Sequence, residues 1–145
     1  MRRLCFEVLG HALPAGSKRH IGGGRVIDAN PDSAGWKHEV ALAARAAMMR
    51  ENGDEPVLLE GALGLALEFY RPRPAGHFGS GRNAGALKPS APAFPTTRPD
   101  ASKLTRGVED AMTGTVWRDD AQVVEQLVTK RYGEPERVRV TVWTM

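Results

Sequence analysis

The sequence predicts an α+β fold in a single small domain, a mixed β-sheet carrying two main helices. Three observations lead there. The chain has 145 residues, room for one domain with one modest core. Apolar residues alternate with polar ones in short runs near both ends and in the middle, the period of half-buried strands. Between those runs lie two stretches whose apolar residues recur every three or four positions, the period of a helix packed on one side. The expected order is β-β-α-β-α-β-β.

The first strand is read at residues 3–9, where Leu4, Phe6 and Val8 alternate with Arg3, Cys5 and Glu7. Cys5, the one cysteine, is expected to be a buried, inert thiol. Residues 11–20 follow as a loop holding Pro14, Gly16, Lys18, Arg19 and His20. The run Gly22-Gly23-Gly24 resembles a hairpin tip rather than a phosphate-binding loop, because a short strand at 25–28 follows it and no helix start does. Asp32 or Ser33 caps a helix to about Arg50, with Trp36, Val40, Ala43, Ala44 and Ala47 on its packed face. Asn52-Gly53-Asp54 ends it, and Leu63, Leu65, Leu67 and Phe69 alternate as a strand of the main sheet.

Residues 71–99 have no hydrophobic period and hold six prolines and four glycines. They carry Arg71, Arg73, Arg82, Lys88 and Arg98 with no acidic residue. A loop this long is either functional or a tolerated insertion, and its place directly before an acidic motif suits a flap that touches substrate. Residues 101–112 are helical, with Leu104, Val108, Ala111 and Met112 on one side and Ser102, Arg106 and Glu109 on the other, and Gly114 stops the helix. Strands at 122–130 and 138–142 complete the chain.

Charge is distributed unevenly. The composition is 41% hydrophobic and 26% charged with a net charge of +3. The first 25 residues and the 71–99 loop are basic, whereas 100–125 contains Asp100, Glu109, Asp110, Asp119, Asp120 and Glu125. Basic flanks around an acidic centre suit a phosphate-bearing ligand processed by carboxylate-bound cations; a well-solvated surface is the plainer explanation. No apolar stretch approaches the roughly 20 residues that span a bilayer. The start Met-Arg-Arg leads into a run broken by Glu7, so a signal peptide is not expected and the protein is expected to be cytoplasmic.

The chemistry concentrates in Arg98-Pro99-Asp100 with its helix, and in Trp117-Arg118-Asp119-Asp120-Ala121-Gln122-Val123-Val124. Asp100 stands at a helix start and Asp120 in the turn after that helix. If helix and turn double back, both carboxylates reach one place at the helix's N-terminal side. Oxygen ligands holding Mg2+ would give carboxylates a reason to face a polyanion, and Lys103 and Arg106 could hold the phosphate. Taken singly, Asp100 could be only an N-cap, and Asp119-Asp120 only a polar turn.

These residues resemble the signature of the RusA family of Holliday-junction resolvases. The match comprises Pro99-Asp100, Leu104, Arg106, Asp110-Ala111-Met112 and the Trp117–Val124 segment; its second half is highly specific. The resemblance implies a homodimeric, Mg2+-dependent endodeoxyribonuclease, with Mn2+ as a substitute ion, acting on four-way or branched DNA in recombination and repair, of phage or prophage type. It implies that Asp100 and Asp120 are catalytic metal ligands, that Arg106 holds the place of a catalytic lysine, and that Lys18 and Arg19 join Arg71, Arg73, Arg98 and Lys103 as DNA contacts. Arg in place of Lys keeps charge but not a point-like proton donor. The family pattern has an aspartate where this chain has Ser102, so the site is one carboxylate short. Ser102 is expected to contribute an oxygen and Asp119 the missing charge, because Glu109 lies roughly 10 Å along the helix from position 102. The alternatives are a branched-DNA-binding protein impaired in catalysis, or a nuclease for flaps or forks.

Overall fold

The computed structural model describes residues 2–16, 18–28, 32–53, 55 and 57–145, and the side chains of all of these except 18, 19 and 26–28. Six strands and two helices run in the order β1 (Arg3–Leu9), β2 (Lys18–Gly22), β3 (Arg25–Asp28), α1 (Ser33–Asn52), β4 (Leu63–Arg71), α2 (Ala101–Met112), β5 (Val123–Tyr132) and β6 (Arg137–Thr144). The expected α+β class and mixed sheet stand, with one strand more than predicted. Lys18, Arg19 and His20, expected in a loop, form β2 and pair antiparallel with β3. Gly23 and Gly24 take φ of 60° and 72°, the left-handed pair a tight hairpin turn demands, so the glycine run is the tip expected.

The main sheet has the order β1-β6-β4-β5. β4 pairs parallel with β5, and β6 lies antiparallel between β1 and β4. One face is apolar in three of the four strands: Leu4, Phe6 and Val8 of β1, Leu63, Leu65, Leu67 and Phe69 of β4, and Val138, Val140 and Val142 of β6 are buried. Onto it pack Trp36, Val40, Ala44 and Met48 of α1 and Leu104, Val108 and Met112 of α2. Removing each large side chain of this kind from water contributes about 1.5–3 kcal/mol, which fixes both helices on that face. Lys37 of α1 reaches Asp110 of α2 at 3.2 Å beside the core.

The opposite sheet face is open. Cys5 lies there, exposed, with its Sγ 3.1 Å from Thr141 Oγ1, so the expectation of a buried thiol is wrong. Strand alternation sets Cys5 beside Arg3 and Glu7, away from the core, and its apolar character did not override that period. Arg137 and Arg139 share this face, with guanidinium carbons 4.0 and 5.7 Å from the Tyr70 ring centre.

The long basic loop begins after Arg71, which is the last residue of β4. It folds on itself through bridges between Phe78 and Leu87 and between Gly79 and Ala84. Arg73 Nη1 donates to Pro92 O at 2.8 Å, and its guanidinium lies 4.3 Å from the Tyr132 ring centre. Lys130 Nζ of β5 donates to Thr97 O at 2.8 Å and to Pro99 O at 3.1 Å. The last residues before Asp100 are thereby tied to the sheet.

Candidate functional site

α2 organises the candidate residues, and its two ends differ. At its start Asp100 occupies the N-cap, with φ −67° and ψ 143°, yet its side chain makes no capping hydrogen bond. The carboxylate is exposed and turned to a groove of about 480 Å3 shared with His11, Arg71, Arg98 and Lys103. This end is cationic. Arg71 is partly committed to the frame: Nη2 donates to Ala12 O at 2.8 Å, and Nη1 stands 3.8 Å from Glu136. Burial pushes its guanidinium below the usual value, and Glu136 opposes that shift. Lys103 O accepts from Ala15 N at 3.0 Å, so the segment after His11 lies along the helix. Gly16 is needed there: its φ is +95°, and a Cβ would come within 2.9 Å of Arg106 Cδ.

At the far end Asp120 is held by donors. Trp117 Nε1 donates to its Oδ1 at 3.0 Å, and Thr113 Oγ1 donates to the same oxygen. Trp117 is fully buried, and its one polar atom is spent on orienting this carboxylate and on Thr113 Oγ1 at 3.1 Å. Both of these bonds to Asp120 fall on Oδ1.

The residues after Asp120 have structural work. Asp119 caps the short 3-10 turn Asp120–Gln122, accepting from Ala121 N at 2.8 Å. Gln122 Oε1 accepts from Arg118 N and Asp119 N at 2.9 and 3.1 Å, while its Nε2 donates to Leu59 O and Gly61 O at 3.0 and 3.1 Å. Gln122 thus clips the turn to the segment before β4. Asp119 opens on the groove along Leu58–Ala62, away from Ser102.

Ser102, Arg106 and Glu109 line a third groove, with Gln126 and Val128 of β5 across it. Their common face was legible from the helical period. The closeness of Glu109 to Asp120 was not. Burial, and next to it the Asp120 charge, hold the Glu109 carboxyl above its ordinary range; a hydrogen bond from Gln126 Nε2 and the charge of Arg106 work the other way. Distance from Ser102 was the wrong measure for Glu109, since its acidic neighbour is Asp120.

The expected meeting of Asp100 and Asp120 at the helix start does not occur within one chain. Asp120 bonds Thr113, just past the end of α2, and Asp100 precedes its first residue, so the two acids belong to opposite ends of a helix roughly 18 Å long at 1.5 Å per residue. The chain does double back, but it does so along β5: Gln126 meets Glu109, and Lys130 meets Pro99. Among the described residues no group of three His, Cys, Asp or Glu side chains could hold a metal ion. Arg73 serves the loop's own frame, whereas Arg98 and Lys103 are exposed beside Asp100. The side chains of Lys18 and Arg19 lie outside the described residues. No helix among the described residues is long and apolar enough to cross a membrane.

The family model described as Endodeoxyribonuclease RusA matches residues 14–143. The chain is also 31% identical over 144 residues to a Bacillus subtilis (strain 168) protein described as "Uncharacterized protein YqaN", covering 94% of this chain and 93% of that one.

Proposed function

The chain belongs to the RusA endodeoxyribonuclease family, and from that premise we propose that it is a Mg2+-dependent, homodimeric endonuclease that resolves four-way DNA junctions. The observation that carries the reading is the pair Asp100 and Asp120. Asp100 stands at a cap position without using its carboxylate as a cap, and Asp120 is gripped through one oxygen by a buried tryptophan. Neither arrangement is needed for the fold alone.

Both residues fit a hard cation, because each offers a carboxylate oxygen that no backbone donor occupies. Mg2+ bound there would supply hydroxide near neutral pH and neutralise charge on the phosphate. Mn2+ would substitute. Ser102 would add a neutral oxygen, and Arg106, from the same face of α2, a fixed positive charge beside the cleaved bond. Glu109 is the stronger source of the missing negative charge, since Asp119 already caps its own turn. Lys103 and Arg98, with Arg71 behind them, would seat the DNA backbone at the Asp100 end, and Lys18 and Arg19 would extend that track. With Asp100 and Asp120 at opposite ends of α2, two copies combined would let the Asp100 of one and the Asp120 of the other serve a single phosphate. A two-fold dimer also matches a junction that must be cut at two equivalent strands.

The test is cleavage of a synthetic four-way junction with Mg2+ by the wild-type chain and by Asp120→Asn. Cutting by the first and not by the second is expected. Equal activity in the two would overturn the reading. Junction binding without cutting, untouched by chelator, would establish a branched-DNA-binding protein instead, and faster cutting of flaps or forks than of junctions would change the substrate.

A further inference from the structure

The open face of the sheet, opposite α1 and α2, holds a depression that neither Asp100 nor Asp120 lines. Strand pairing sets Cys5, Thr141, Ala66 and Leu127 in one line across the four strands. The first three of these side chains are small, so the line is a trench with Leu127 at its β5 end. One wall carries Arg3 and Trp143. The other carries Arg139 and Glu68, with Arg131 beyond Thr129. The space between them is about 450 Å3.

Two features of the trench say what fills it. Gly64 pairs with Trp143, and a Cβ at Gly64 would stand 2.0 Å from Trp143 Cε2. The indole therefore lies down on the backbone of β4, half-buried, and gives the trench a flat aromatic wall. Tyr70, the other aromatic residue of this face, is already covered by the guanidiniums of Arg137 and Arg139. The second feature is charge: three arginines and one glutamate line the trench. Glu68 is shared, 3.5 Å from Arg131 and 3.4 Å from Arg139. Arg3 is exposed and pairs with no acid among the described residues. A flat ring beside surplus guanidiniums suits a planar base joined to phosphates. An acidic peptide would satisfy the arginines but leave the ring without a planar partner. Trp143 and Arg139 are four residues apart along β6, about 13 Å at ~3.3 Å per residue, which admits one strand and is too narrow for a duplex.

We propose that this trench binds single-stranded DNA, with one base stacked on Trp143 and the flanking phosphates on Arg3, Arg131 and Arg139. The site rests on membership of a DNA-cutting family, and on neither the metal nor the junction reading. It lies across the sheet from α2, so an unpaired strand held there leaves both ends of that helix uncovered.

Cys5, the one cysteine of the chain, lies in the trench and reports its occupancy. In chelator, the rate of Cys5 alkylation by N-ethylmaleimide is measured for the wild-type chain with oligothymidylate, with a blunt duplex and with polyglutamate. Oligothymidylate at ten times its Kd is expected to slow alkylation about tenfold, and the other two to leave it little changed. Alkylation that bound oligothymidylate does not slow would overturn the proposal. Equal protection by the duplex would overturn the choice of a single strand, and equal protection by polyglutamate would make the trench a peptide site. Trp143→Leu is expected to weaken oligothymidylate binding about tenfold, the stacking of one base, whereas Trp143→Phe keeps most of the affinity. Arg3→Ala changes an exposed residue and should melt like wild type. It should lower the slope of log affinity against log salt by about 0.7, the share of one phosphate on a single strand. Wild-type affinity in Trp143→Leu together with a wild-type salt slope in Arg3→Ala would place the DNA elsewhere and overturn the proposal. Should Trp143→Leu fail to fold, an unchanged slope in Arg3→Ala is enough to do so.

Discussion

The two ends of α2 carry one acid each and treat it in opposite ways. At the start, Asp100 is exposed among Arg71, Arg98, Lys103 and His11, and no donor fixes its carboxylate. At the end, Asp120 is fixed by Trp117 and Thr113 and shares its surroundings with the acidic Glu109. The first end gathers cationic side chains around its acid. The second holds its acid still beside a further carboxyl, Glu109. On the reading proposed above, the two ends would act as a pair, one seating phosphate and the other holding the cation.

The strongest way to break that pairing is to separate the acids into different chains. Asp100→Asn and Asp120→Asn should each lower junction cleavage by roughly 10³-fold. Mixed after dissociation and reassociation, the two inactive variants should recover cleavage, because half of the dimers would unite an intact Asp100 from one chain with an intact Asp120 from the other. Mixtures as inactive as the separate variants, with heterodimers present, would show that each chain works with its own acids.

A smaller effect tests the rigidity assigned to the far end. Trp117→Phe keeps most of the buried ring and removes the donor to Asp120. Cleavage should fall about 10- to 100-fold, with a larger Mg2+ requirement, for a stability loss of about 1 kcal/mol. The same substitution should leave junction binding in chelator unchanged, since the basic end is untouched. A variant that loses binding and cutting equally would place Trp117 in the fold alone.

The smallest effect concerns Glu109. Its carboxyl titrates above the ordinary range in the folded chain, chiefly through burial and then through Asp120. Relative to the unfolded chain, folding favours its protonated form, a contribution fully present below the unfolded pKa and lost as pH rises through the folded one. Glu109→Gln should therefore melt higher than wild type at pH 7–8, with the advantage shrinking as pH falls through the raised value and gone below the ordinary glutamate value. Thermal melts across that range, without metal, check the sign. A variant less stable at pH 8 than wild type would mean that Gln126 outweighs the burial and the acid.

Much of this contrast could be read before the coordinates. β1, β4 and β6 declare themselves by alternation, and α1 and α2 by their apolar stripes, because burial on one face forces those periods. β2 was missed because Lys18-Arg19-His20 pair with β3 without burying a core face, and hydrogen bonding alone leaves no hydrophobic period. Trp117 was legible as part of the motif but not as the donor that orients Asp120, since that contact depends on the turn between them. Asp119 and Gln122 looked like chemistry and proved to be the cap and clip of that turn. The supposed meeting of Asp100 and Asp120 failed for a related reason. Spacing along the chain shows that it turns after α2, but not that β5 carries the return while Asp120 stays at the bend.

Lys130 has a consequence for how such a chain can vary. Its ammonium anchors the end of the basic loop at Thr97 and Pro99, and Arg73 anchors the beginning at Pro92 and Tyr132. Everything between is suspended from two fixed posts. Residues can be gained, lost or exchanged around the Phe78–Leu87 finger without displacing Asp100, so this part of the surface is free to diverge while the acid beyond it keeps its position.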